Sequence, residues 1–203
     1  ATEDVADEIA VTDAELAGNP FMEEWDTPYG VPPFAAIKDA HYMPAFKKGI
    51  LELRADIAAI LDNPEPPTFE NTILAQEMAG KLLNKVNYTF GNITNTELNE
   101  ELRALESRIN PMLTREFDAI NLNTELYARV KAVYDQKDEL GLDEQDARLL
   151  ELCLGRDLRG ALLPLGAVLR GEALALLAHA ALDGGLVVLG ERDALDPDEL
   201  DRD

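Results

Sequence analysis

Two histidines, one cysteine and a few acid pairs are the residues of this 203-residue chain whose types could do chemistry. A helix-borne zinc site of the H-E-x-x-H kind needs two imidazoles one turn apart, a glutamate between them to activate bound water, and a further acidic ligand downstream. His41 and His179 stand 138 positions apart; His41 is followed by Tyr42 and Met43, and His179 lies between alanines. Neither sits in that motif, so no catalytic, cofactor-binding or metal-ligating residue can be assigned on this chain. Cys153 would need a basic partner to act as a nucleophile, and both histidines are distant in sequence; it reads as a small buried hydrophobe. Glu23-Glu24 and Glu100-Glu101 are adjacent pairs, which diverge on a helix and make poor acid/base dyads; they read as solvated faces. Gly184-Gly185 is too little for a phosphate-cradling loop, and no Ser/His/Asp arrangement follows from spacing. His41 begins an amphipathic stretch and is expected to pack and hydrogen-bond there, while Trp25 and Tyr29 are expected to anchor a core rather than stack on a ligand.

The elements that would position these residues are helices. The chain is rich in Ala, Leu, Glu and Asp and poor in aromatics, the profile of an all-α protein. Phe46, Ile50, Leu53, Ile57 and Ile60 alternate steps of four and three, one face of a helix from about His41 to Asp62, with Pro44 in its first turn. NPEPPT at 63–68 stops it, and Thr68 caps a second helix carrying Ile73 or Leu74, Met78, Leu82, Val86 and Phe90 inward. A third runs from about Thr96 with Leu98, Leu102, Leu105 and Ile109 buried, and Pro111 kinks or ends it. Asn123 caps a fourth, burying Leu126, Val130, Val133 and Tyr134 and ending near Gly141; Asp143 caps a fifth through Leu149, Leu150 and Leu152. Short connections predict antiparallel neighbours. The segment before them, Asn19 to Phe46, holds the only tryptophan and five of eleven prolines, so it is expected as an extended strap pinned by Phe21, Trp25, Tyr29 and Phe34.

That strap, NPFMEEWDTPYGVPPFAAIKDAHYMPAF, together with FENTI at 69–73 and ELYARVKAVYDQKDELGLDEQDARLLE at 125–151, resembles the N-terminal region of thimet-oligopeptidase-type zinc metallopeptidases, the peptidyl-dipeptidase branch most of all. The resemblance covers roughly residues 19–152. It implies an all-α wall of a deep channel in an intact relative that hydrolyses short peptides with zinc, removing C-terminal dipeptides. Zinc is thus expected for the intact family member and not on this chain, because the H-E-x-x-H region is absent from it.

Charge bounds the partners. A net charge of −22 argues against nucleic acid and against anionic membrane surfaces, which need clustered Lys and Arg. The two ends, 1–18 and 191–203, carry half of that charge, and both are expected to be solvated and disordered. A single cysteine is compatible with a cytoplasmic or a bacterial periplasmic location. From Cys153 to Asp203 only ten residue types occur, and Lys, Ser, Thr, Asn, Gln, Ile, Met and all aromatics vanish. Apart from Cys, those types are compatible with codons beginning in G or C, as when a GC-rich gene is read out of frame. The expected division is therefore an acidic disordered N-terminus at 1–18, a helical domain at 19–152, and an irregular, poorly packed tail at 153–203 arising from a frameshift or an equivalent splice. A body deprived of its next helices should expose apolar surface and self-associate. The alternative is a stand-alone acidic helical protein-interaction module.

Overall fold

Short polar side chains at the helix starts take up amides that would otherwise lack partners. In the computed structural model, which describes residues 9–96 and 99–162 with side chains as far as Arg156, the elements run α1 (Asp13–Leu16), α2 (Asp39–Leu61), a π-helical turn (Phe69–Leu74), α3 (Ala75–Met78), α4 (Lys81–Thr96), α5 (Glu100–Asn121), α6 (Thr124–Tyr134) and α7 (Glu144–Leu162). Thr68 and Asn71 cap one another reciprocally at the π turn: Asn71 N–H donates to Thr68 Oγ1 (3.1 Å) and Thr68 N–H to Asn71 Oδ1 (2.8 Å). Asn123 Oδ1 accepts from the amides of Glu125 and Leu126 at 3.0 Å each, and Asp143 Oδ1 from those of Gln145 and Asp146 at 2.9 Å each. No strand occurs among the described residues, so the all-α class stands.

The centre of the body is the pair α2 and α4. Tyr42 and Phe46 meet Phe90, Gly49 meets Leu83, and Leu53 meets Gly80, so the two helices run antiparallel. Their closest approach is at Gly49: a Cβ there would stand 2.8 Å from Leu83 Cα and 2.9 Å from Leu83 N. Only glycine lets the backbones come so near. Leu102, Ile109, Met112 and Leu113 of α5, with Leu126 of α6, close the same core. A second, smaller core joins Phe69 and Ile73 to Val130, Val133, Leu150 and Cys153, binding the π turn to α6 and α7.

Five expectations about the elements change. The helix predicted from Thr68 to Phe90 is broken: Gly80 adopts φ +67 between α3 and α4, its amide donates to Asp56 Oδ2 (2.9 Å), and the face shifts so that Leu83 is buried while Met78 is exposed. Pro111 neither ends nor interrupts α5, because Ile109, Met112 and Leu113 are buried on both sides of it and that packing outweighs one missing hydrogen bond. α5 starts at Glu100 rather than Thr96, with Asn99 Oδ1 accepting from Leu102 N–H (2.7 Å). α6 ends at Tyr134, short of Gly141. α2 begins at Asp39, which places Pro44 beyond its first turn.

Order also begins earlier than expected. Ile9 is buried in the first core, Lys47 Nζ donates to the carbonyl of Ala10 (3.1 Å), and Thr12 and Glu15 form a capping box on α1. α7 runs on across Cys153 to Leu162. The remainder of the compositionally distinct tail, His179 included, lies outside the described residues.

Candidate functional site

The strap meets the helical body through tilted and edge-on aromatic contacts. Phe21 is wholly buried, 5.5 Å from Tyr42 and 5.9 Å from Trp25 between centroids; Tyr42 in turn lies 4.9 Å from Phe90. Asn19, itself buried, ties this junction to α2: its Oδ1 accepts from Phe21 N–H (3.1 Å) and its Nδ2 donates to the carbonyl of His41 (2.9 Å). His41 Nδ1 accepts from the amide of Lys38 (3.0 Å) at the start of α2. The imidazole thus caps a helix, as expected of it, and faces no acid or nucleophile in that contact.

Trp25 is half-buried. Its indole N–H donates to the carbonyl of Pro20 (2.8 Å), and Lys85 Nζ sits 4.2 Å above its ring. Lys85 Nζ also donates to the carbonyls of Phe21 (3.1 Å) and Glu23 (2.6 Å). Burial lowers the pKa of this ammonium, and the negative charge of Glu24 opposes the shift. The phenol of Tyr42 is pushed up to about 12 by burial, with Asp39 adding to the rise, and its buried hydroxyl has no hydrogen-bond partner among the described residues. Tyr29 and Phe34 depart from expectation: Tyr29 is fully exposed and Phe34 is exposed, so neither pins the strap. Tyr29 moreover holds φ +61, left-handed backbone that a bulky residue seldom adopts, in a turn whose next residue is Gly30. Glu23, Glu24, Glu100 and Glu101 are all on the surface.

Two polar features went unseen in the sequence. Arg54 of α2 grips Glu116 of α5 with two hydrogen bonds, Nε to Oε2 at 2.7 Å and Nη2 to Oε1, and Glu116 is only 6% exposed. The carboxylate raises the pKa of Arg54 against the effect of burial. The signal was present: Glu116 falls on the stripe of Ile109, Met112 and Leu113, where a charge must find a partner. Asp56, on the amide of Gly80, borders an open cleft of about 320 Å³ with Asn63, Asn71 and Met78. A second cleft of about 220 Å³ lies between Leu53, Asn84, Phe117 and Arg156. Neither lining holds a histidine or cysteine, and among the described residues no three His, Cys, Asp or Glu side chains gather as a metal ion would require. No described helix is long and apolar enough to cross a membrane.

The chain is 43% identical over 134 residues to dipeptidyl carboxypeptidase of Escherichia coli K12, a stretch covering 66% of this chain and 20% of that protein. It is 39% identical over 137 residues to the Salmonella typhimurium dipeptidyl carboxypeptidase, covering 68% and 20% respectively. The chain belongs to the thimet-oligopeptidase family, in its dipeptidyl carboxypeptidase branch. Oligopeptidase A of Salmonella typhimurium is a more distant relative, 24% identical over 109 residues that cover 54% of this chain and 16% of that protein. No family model matches the chain. The chain spans about a fifth of the length of the dipeptidyl carboxypeptidases it matches. What this stretch of a dipeptidyl carboxypeptidase relative contributes, among its described residues, is a buttressed helical body with an aromatic strap laid over one edge.

Proposed function

We propose that this chain corresponds to the non-catalytic, channel-wall part of a zinc-dependent peptidase that removes dipeptides from the C-termini of short peptides. The observation that carries this is the 43% identity to dipeptidyl carboxypeptidase over 134 residues, in a chain whose two histidines stand far apart. The described residues do not fit a zinc site; in the intact protein, zinc would polarise a peptide carbonyl and activate water from ligands outside this stretch. Helices packed as tightly as α2 on α4 suit a rigid wall that admits short peptides and excludes folded proteins.

Residues 153–203 are proposed to be out of frame with this family. The division would fall within α7, whose course to Leu162 is compatible with the helix-forming Leu, Arg and Ala of residues 154–162. Phe117, Leu122 and Leu152 are exposed apolar side chains, and self-association through such surface is the expected behaviour of the isolated body. Two measurements test these proposals. The purified chain supplied with zinc should not hydrolyse short peptides; cleavage that copurifies with the chain and disappears on chelation overturns the non-catalytic assignment. The encoding DNA, read in the other frames past codon 152, should yield further family-like helix and later H-E-x-x-H. Stop codons and no such motif would favour a stand-alone acidic helical module instead.

A further inference from the structure

One ammonium group adds to the burial of Phe21 in fastening the docked half of the strap. Lys85 Nζ makes three contacts with it, to the carbonyl of Phe21 at 3.1 Å, to the carbonyl of Glu23 at 2.6 Å and to the face of Trp25 at 4.2 Å. These partners are two carbonyl dipoles and a π face, all supplied by residues 21–25, and the nearby carboxylate of Glu24 also favours the charge. On the strap's other side, Phe21 packs against Tyr42, whose buried hydroxyl has no hydrogen-bond partner among the described residues.

The segment is tied down on its N-terminal side and followed by an exposed stretch. Asn19 is fixed to α2 by its bond to the His41 carbonyl, independently of Lys85. Beyond Trp25, Asp26, Pro28, Tyr29, Gly30 and Val31 are exposed. The 3-10 turn at Pro20–Met22 is too short to be stable by itself, so its conformation depends on the contacts that hold it down.

We propose that residues 20–25 form a latched flap, hinged at Asn19 and held by Lys85, which opens as a unit while the helical body stays folded and uncovers the aromatic pocket of Tyr42 and Phe90. Lys85 is a positioning residue here: it acts on the strap, and the strap covers the pocket. Any change that removes its charge, acylation of the amine included, releases the flap.

Trp25 is the only tryptophan, so its emission reports on the flap alone. Lys85→Met keeps the aliphatic stem and removes the charge and the donors. The expected result is a red shift of Trp25 emission and a rise of roughly twofold or more in acrylamide quenching, with an unchanged far-ultraviolet helical signal. Quenching equal to that of the unaltered chain overturns the proposal. So does loss of the helical signal together with exposure of Trp25, because the flap and body would then be one cooperative unit. In the unaltered chain, the Phe21 amide should exchange its hydrogen through an opening insensitive to low denaturant and faster than the core amides of α2 and α4; exchange only through global unfolding overturns the proposal without any variant.

Discussion

Residues 19–25 and residues 27–36 of the strap carry two aromatics each and meet opposite fates. The first holds one proline and two glutamates, the second three prolines and no charge. In the first half Phe21 is buried and Trp25 packs against the core; in the second Tyr29 and Phe34 stand in solvent. The difference lies in what each half meets. The first lies over the Tyr42–Phe90 stack and within reach of Lys85, while the second turns away through the left-handed pair Tyr29 and Gly30. An aromatic residue anchors only where the rest of the molecule offers it a pocket.

The largest effect that separates the halves should come from Phe21→Ala. Removing a wholly buried ring from among Tyr42 and Trp25 is expected to lower stability by about 3–5 kcal/mol in urea unfolding. A loss below about 1 kcal/mol would place Phe21 with Tyr29 and erase the contrast. Trp25→Ala should cost less, about 2 kcal/mol, because the indole is only half-buried and Lys85 supplies part of its hold. This is smaller than a largely buried, core-anchoring indole, the expectation from sequence, would have produced.

Alkaline pH sharpens the comparison from the pocket side. The Tyr42 phenol, pushed up to about 12 by burial, holds its proton in the folded chain at pH values where the unfolded chain has released it. Stability from this group is therefore complete below pH 10, the ordinary tyrosine value, and declines as pH rises from 10 towards 12. Tyr42→Phe should flatten that decline in an unfolding series across the same window. The smallest effect belongs to the free half: Tyr29→Ala should change stability by no more than about 0.5 kcal/mol. Tyr29→Gly should be neutral or stabilising, since it removes a left-handed strain of roughly 1 kcal/mol. A marked loss in either variant would reveal a contact for Tyr29.

Much of the helical body was legible because its signals are local. Thr68, Asn123 and Asp143 cap the turns that their side-chain chemistry predicted, and Ile50, Leu53, Ile57 and Ile60 lie inward as their spacing required. The misplacements have one cause. Met78 was expected inside because helical periodicity was carried through Gly80, where the chain takes a left-handed turn secured by Asp56 from another helix. Pro111 was expected to disturb α5, yet the neighbouring burial of Ile109 and Met112 holds the helix through it.

Two side chains of the candidate site were legible in the sequence. His41 and Cys153 took the structural places expected of them, at a helix start and in the second core. Lys85 and Glu116 gave weaker signals, since an isolated charge on a helix face does not say what it will meet.

The sequence by itself determined that Thr68, Asn123 and Asp143 cap helical turns, that α2 buries the stripe Ile50, Leu53, Ile57 and Ile60, and, through the strap and the segments at 69–73 and 125–151, which peptidase family the chain belongs to. Those properties rest on neighbours within a few positions, or on a pattern of residues shared with relatives. Only the tertiary structure decided which aromatics of the strap are buried, that Arg54 would reach Glu116 across 62 positions, and that one lysine would hold the strap down. These depend on surfaces brought together from distant parts of the chain, where burial and unmet hydrogen bonds outweigh any local preference.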